Sequence, residues 1–310
     1  MSKVKTLVYS IPGIRKLSTF IKQGYDIDNL YSSPFVKNFP PGHFYSPIPN
    51  LSDVLDKEEL IFKYKKEFPG VDLRQEEQLQ MLDSLAIYYK ELPFSEEPNT
   101  SCRYYYQNRF FCYSDAIILY AMLRHLKPKK VIEVGSGFSS AVMLDTNEGF
   151  LGSAVNFTFI EPYPERLYNL LNEQDKLQHQ VIEKPVQEVD IDLYQMLDAG
   201  DILFIDSSHV VKIGSDVAHI IFEILPRLKP GVIVHFHDIF CSFEYPKEWL
   251  EEGRAWNEGY FLRAFLQYNS VFQILYFNSF MGEFYQQELK HKMPLCLRNT
   301  GGSLWLKKAV

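Results

Sequence analysis

From Asp115 onward the chain alternates helical and strand periods, and nothing else in its 310 residues limits the fold as much. Helix is expected over 115–125, 138–147, 164–173, 214–226 and 256–268, and strand over 130–135, 156–161, 179–184, 201–206, 231–237, 271–278 and 303–308. Such alternation implies a doubly wound α/β fold, a mostly parallel sheet with helices on both faces. Runs such as Val131-Ile132 and Ile202-Leu-Phe-Ile205 are apolar without a polar face, as strands covered on both sides must be. No helix of ordinary length that must cross the sheet is expected between the last two strand candidates, so these are free to pair antiparallel at the sheet edge.

Residues 1–100 have a different texture and read as an N-terminal helical and loop segment folded as a lid, with 101–310 as the domain beside it. Pro and Gly punctuate Phe39-Pro-Pro-Gly-His-Phe-Tyr-Ser-Pro-Ile-Pro49, and Pro69-Gly70 breaks a helical stretch expected over 52–90. Within this segment Gly42–Pro47 is expected to reach over the functional site, with His43 and Tyr45 as its polar groups. A net charge of -7 and a pI near 5.7 argue against a nucleic-acid footprint, which needs a basic face. Cys102, Cys112, Cys241 and Cys296 form no close pair and read as reduced thiols of a cytoplasmic protein. The longest apolar run, Ala116–Leu123, is too short for a membrane span, and the start of the chain lacks the apolar core of a signal peptide.

The segment Lys130-Val-Ile-Glu-Val-Gly-Ser-Gly-Phe-Ser-Ser140 joins a strand to a glycine turn and places an acid two residues ahead of it. Gly135 and Gly137 let the backbone turn sharply and approach a ligand. Glu133 discriminates among ligands, because a carboxylate at the turn would repel a pyrophosphate and tolerate an ammonium group. Ser140 stands where a dinucleotide fingerprint has its third glycine, which weakens a nicotinamide dehydrogenase reading.

This acid-x-Gly-x-Gly pattern resembles the cofactor motif of class I S-adenosylmethionine-dependent methyltransferases. The resemblance covers about residues 100–308 and implies a seven-stranded sheet of order 3-2-1-4-5-7-6 with strand 7 antiparallel. It implies a cofactor site made by Glu133, Gly135, Ser136, Gly137, Ser139, Glu161, Pro162, Val186, Gln187, Asp206 and Asp115. Glu161, at the end of the second strand, would accept hydrogen bonds from ribose hydroxyls, or else be a surface glutamate opening a turn. Asp115 lines the methionine end or simply caps its helix. Gly137→Val is expected to push a side chain into the cofactor's path.

The chemical cluster follows strands four and five, at Asp206-Ser-Ser-His209 and His237-Asp238. The spacing Asp-x-x-His with a second acid after strand five resembles the macrolide-sugar O-methyltransferases of the macrocin and mycinamicin type. Neighbouring strand ends would let Asp206, Asp238 and either His237 or His209 meet around one cation, and the resemblance implies a divalent ion, magnesium or another, held by Asp206, His237 and Asp238, with His209 as base and Asp206 beside it. His237 departs from the glutamate of that group, and imidazole is a poorer magnesium ligand, so a softer ion or no ion stays open. Asp206 has a plainer alternative as a cap or a partner of the cofactor amine, and His235 reads as a satisfied core histidine. The segment 246–257, with Trp249 and Trp256, is expected to wall the substrate, and Arg254 to pair with Glu251 or Glu258 or else bind an acidic substrate group.

The expected activity is methyl transfer from S-adenosylmethionine, most readily to a hydroxyl of a small molecule or sugar-like natural product. Two alternatives remain, N-methylation of a peptide or amine and binding of the cofactor without turnover. The expected partners are a small-molecule or peptide acceptor, with neither nucleic acid nor membrane, and a homo-oligomer stays open.

Overall fold

A computed structural model describes residues 32–310. The chain divides at Ile61/Phe62 into two compact units. Among its described residues the first carries three short helices, Pro34–Lys37, Leu51–Leu55 and Glu58–Ile61, the second of them capped by the Asn50 side chain accepting from Ser52 N at 3.0 Å. Between them Phe39, His43, Phe44 and Tyr45 pack on one another, and Tyr45 N donates to His43 Nδ1 at 3.1 Å.

The second unit is built on seven strands: β1 Lys130–Val134, β2 Asn156–Ile160, β3 Gln180–Ile182, β4 Ile202–Ile205, β5 Ile233–Phe236, β6 Phe272–Phe277 and β7 Leu304–Lys308. Their order is β3-β2-β1-β4-β5-β7-β6, as expected. All pairs through β5 are parallel, and β7 runs antiparallel to both its neighbours. The central strands β4 and β5 are buried along their whole length, which their apolar composition requires.

Helices cover the sheet. Tyr113–Leu126 is buried over ten consecutive residues, Ser114 to Leu123, so that all but its ends lies within the core. Gln75–Ala86 packs on β6, with Leu82 and Leu85 buried and the Gln78 carboxamide accepting from Phe277 N at 2.9 Å. Pro69-Gly70 forms a tight turn closed by Val71 N donating to Phe68 O at 3.0 Å, so the expected break is a reversal of the chain.

Two expected helices are subdivided. The 164–173 stretch stops at Leu170, because Asn172 caps a new helix, Glu173–Gln178, by accepting from Asp175 N at 2.9 Å while Asp175 returns the bond to Asn172 N at 2.7 Å. The 214–226 stretch begins as Asp216–His219, widens into a π turn over Ile220–Ile224 and ends as a 3-10 turn at Leu225–Arg227. Pro226, which has no N–H to give the turn behind it, accounts for that ending.

Arg103 ties the segment before the first long helix to the sheet-covering layer. Its guanidinium meets Asp145 at 2.8 Å, Glu148 at 2.6 Å and Asp175 at 2.9 Å. Asp145 also accepts from Tyr104 N at 2.9 Å. Asp145 and Asp175 are buried, so removing the arginine would strand charge in the interior, a loss of about 3–5 kcal/mol.

Among the described residues no helix is long and apolar enough to cross a membrane, and all four cysteines are free.

Candidate active site

The carboxyl ends of the parallel strands open into a cavity of about 420 Å3. This is where a doubly wound sheet binds its ligand, beside the point where the strand order reverses. Its walls include Gly135, Glu161, Pro162, Val186, Gln187 and Asp206 of the expected set, together with Tyr163 and Lys212. Glu133, Ser136, Gly137, Ser139 and Asp115 do not line it.

The reasons differ for each. Glu133 is fully buried within β1, where Ser139 Oγ donates to one carboxyl oxygen at 2.5 Å and Ser140 Oγ to the other. Burial, against the pull of both serines, raises its carboxyl to about 8. Glu133 thus braces the start of the Phe138–Phe150 helix from inside, and its charge does not face the turn as the sequence suggested. At Gly137 an added Cβ would meet the Arg166 side chain at 3.2 Å, so the expected route by which Gly137→Val blocks a ligand is not the one the geometry offers. Asp115 is not the helix cap, which is Cys112. It sits in the first turn and accepts from Ser303 Oγ at 2.6 Å, Asn278 Nδ2 at 3.1 Å and Gly302 N at 3.1 Å, pinning that helix to the entry of β7.

Glu133 carries a pH signature. Its pKa lies at about 8 in the folded chain against an ordinary 4.5, so between these values the native state holds more protons than the unfolded one and stability falls as pH rises. Glu133→Gln removes this contribution. The melting temperature of ligand-free protein should therefore drop less between pH 5 and pH 8 in the variant than in the parent, within roughly the window set by those two pKa values. Parallel curves would show that Glu133 is ionised throughout.

Glu161 lies at the opposite wall, its two oxygens accepting from Ser136 N at 3.1 Å and Tyr163 N at 2.8 Å. Gln187 donates to Gly214 O at 2.9 Å, linking the loops after β3 and β4.

At the β4 and β5 ends the structure brings Asp206, His209 and Asp238 together, one ligand atom of each lying within 4.8 Å of the others. His209 Nε2 is 3.4 Å from Asp206 Oδ1 and 3.6 Å from Asp238 Oδ2. The convergence follows from pairing β4 with β5, and two strained turns sharpen it: His209 has φ 59° and Asp238 φ 56°, a region that non-glycine residues seldom adopt. Of the two histidines expected as alternatives beside these acids, His209 is in this group and His237 lies outside it. Its Nε2 is 3.4 Å from Asp238 Oδ1 and its ring rests on Phe111, 5.0 Å between centroids. His235 Nε2 pairs with Ser303 Oγ at 2.9 Å in the core, while its Nδ1 has no partner.

Charge at the cluster is unevenly shared. Burial alone would lower His209, but Asp206, Glu258 and Asp238 outweigh it and hold the imidazole well above its usual range. His237 is raised in the same way, against burial, by Asp238, Asp206 and Asp115. Burial raises Asp238, whereas His237 and His209 overcome burial to keep Asp206 below the usual carboxylate range.

Glu258 is the group that sequence reasoning misplaced. Its carboxylate is 2.9 Å from His209 Nδ1, whereas Arg254 pairs with Glu252 at 2.8 Å and stacks on Trp249 and Trp256. No local spacing announces a contact across 49 residues. Aromatic rings do gather beside this cluster: Trp256 lies 4.4 Å from the His209 ring and 5.6 Å from Tyr245.

A family model described as a methyltransferase domain matches residues 132–239, which run from β1 through the Asp238 turn. This chain carries a methyltransferase domain. The methyltransferase is also similar to an uncharacterized protein of Archaeoglobus fulgidus, 39% identical over 169 residues that cover 52% of this chain and 75% of the relative. Among solved structures it is similar to the S-adenosylhomocysteine-bound methyltransferase PaMTH1 of Podospora anserina, at 12% identity and a TM-score of 0.43, over 74% of this chain and 88% of that one. Another is the O-methyltransferase TomG of Streptomyces achromogenes, involved in tomaymycin synthesis and solved with S-adenosylmethionine, at 14% identity and a TM-score of 0.40, over 84% of this chain and 97% of that one.

The cavity suits this methyl donor. Its volume is that of an ordinary small-molecule site, its walls offer apolar Val186 and Ile160 beside the Glu161 carboxylate, and Asp206 supplies negative charge toward a sulfonium or ammonium.

Proposed function

We propose that the methyltransferase O-methylates a small molecule, of the sugar-like natural product kind, whose hydroxyl enters between the β4 and β5 turns. The observation that carries this reading is the meeting of Asp206, His209 and Asp238 at one end of a cavity that Asp206 itself lines. Glu161 would take the ribose hydroxyls, with Val186 and Gln187 beside the adenine. When bound, S-adenosylmethionine supplies the methyl group and leaves as its demethylated product. The acceptor oxygen bonds to the methyl carbon as the carbon–sulfur bond breaks, and its proton passes to His209 Nε2.

Asp206 and Asp238 would hold a divalent cation, which lowers the pKa of a neighbouring hydroxyl when present. Two carboxylates leave room for waters and the acceptor, the usual mode of magnesium binding. His237, already engaged with Asp238, would steady that carboxylate and stay off the ion.

The test is incubation of the protein and methyl-labelled S-adenosylmethionine with a metabolite extract, read by mass spectrometry. Label should appear in an O-methylated product, vanish after chelation and return with magnesium or manganese. Asp238→Asn should bind the donor with parental affinity and turn over poorly. An N-methylated product would overturn the acceptor assignment, and full activity in metal-stripped protein would overturn the cation.

A further inference from the structure

We infer that Glu258 is the positioning residue for His209, deciding which imidazole nitrogen carries the proton and where the other one aims. This rests on the base role given to His209 above. The grip is double. Glu258 Oε2 lies 2.9 Å from His209 Nδ1, and the Glu258 backbone N–H donates to the His209 carbonyl at 3.1 Å. Asn257 N donates to the same carbonyl at 3.1 Å, while the Asn257 side chain accepts from Val211 N at 2.6 Å and donates to Val211 O at 3.3 Å. One short segment therefore holds both the ring and the left-handed backbone of His209. Ser207 Oγ donates to the other Glu258 oxygen at 3.2 Å, and Trp256 covers the imidazole face.

The chemistry follows from the inventory of donors. A carboxylate only accepts, so Nδ1 must carry the proton, and the free lone pair of a neutral ring is left on Nε2. Nε2 also faces carboxylates, Asp206 and Asp238, but at 3.4 and 3.6 Å, beyond an ordinary hydrogen bond, so the single proton of the neutral ring goes to the 2.9 Å contact with Glu258. The opposite tautomer would set a lone pair against Glu258, which is 1% exposed and has no water to turn to. This tautomer is the reverse of the one that histidine favours in water, so its presence is diagnostic.

The experiment uses the full chain labelled with 15N at histidine, with the His209 signals assigned by their loss in His209→Gln, at a pH where the ring is neutral. The parent should show His209 protonated at Nδ1. Glu258→Leu, which keeps the bulk and removes the acceptor, should move the proton to Nε2. The same Glu258→Leu change should lower kcat by about 10- to 100-fold with the KM for S-adenosylmethionine unchanged, and Glu258→Gln, which keeps an acceptor oxygen, should retain the Nδ1 proton. An Nε2-protonated His209 in the parent overturns the inference whether or not either variant folds. A folded Glu258→Leu enzyme with parental kcat overturns it as well. Failure of the functional reading looks different, since a parent that shows the expected tautomer but transfers no methyl group to any acceptor sinks the base role and leaves the Glu258–His209 brace standing.

Discussion

Gly135→Ala is expected to cost about 2–5 kcal/mol and to remove the donor site with it, the sum of ~1–2 for a left-handed backbone and ~1–3 for an overpacked contact. Gly135 has φ 78°, and a Cβ there would overlap the Asp206 carbonyl oxygen. That oxygen cannot retreat cheaply, because Asp206 N is bonded to Val134 O at 2.8 Å and Gly135 N to Ile160 O at 3.0 Å. Relief of the clash would separate β1 from β4 where both border the cavity. Gly137→Ala is the comparison, since its backbone is extended and its new atom meets only the flexible Arg166. Denaturant titration and calorimetry with S-adenosylmethionine should show the first variant destabilised and unable to bind, and the second near the parent. Equal behaviour of the two would contradict the packing described for the glycine turn.

His209→Ala should lower kcat by about 10²- to 10⁴-fold while leaving donor affinity in place, the loss typical of a missing general base. The pH profile is the sharper readout. A base works unprotonated, so the parental rate should climb as pH rises through the imidazole pKa, and the surrounding carboxylates put that rise above the ordinary imidazole range. A divalent cation on Asp206 and Asp238 would offset those charges and draw the rise to lower pH. In His209→Ala this limb should be absent. Near-parental turnover with an unchanged profile would take the proton transfer away from His209.

The sheet was legible because its strands are short apolar runs set between helical periods, a pattern that burial on both faces imposes on residues such as Ile202–Ile205. Asp206, His209 and Asp238 were legible for a related reason: once the strands are ordered, the residues after neighbouring strands must meet. Contacts that depend on side-chain direction were not legible. His237 follows β5 as directly as Asp238 does, yet it leans on Phe111 and reaches only the flank of its neighbour. Glu133 occupies the motif position of an acid at a glycine turn, and only the packing reveals that two serine hydroxyls enclose it. Glu258 belongs to a helix whose approach to His209 is a tertiary event, invisible to spacing.

Strand β7 follows every other strand in the chain but takes an interior place, between β5 and β6. The five parallel strands can pair as they emerge during synthesis, whereas β5 keeps an open edge until residues 302–308 arrive. The turn carrying Asp238 waits for the same residues, since Ile239 N donates to Gly302 O at 2.6 Å and Asp115 is sealed by Gly302 and Ser303. Completion of the Asp206–His209–Asp238 cluster is thus tied to the arrival of β7. A nascent chain halted earlier would be inert, and its bare β5 edge would make it a target for chaperones or self-association.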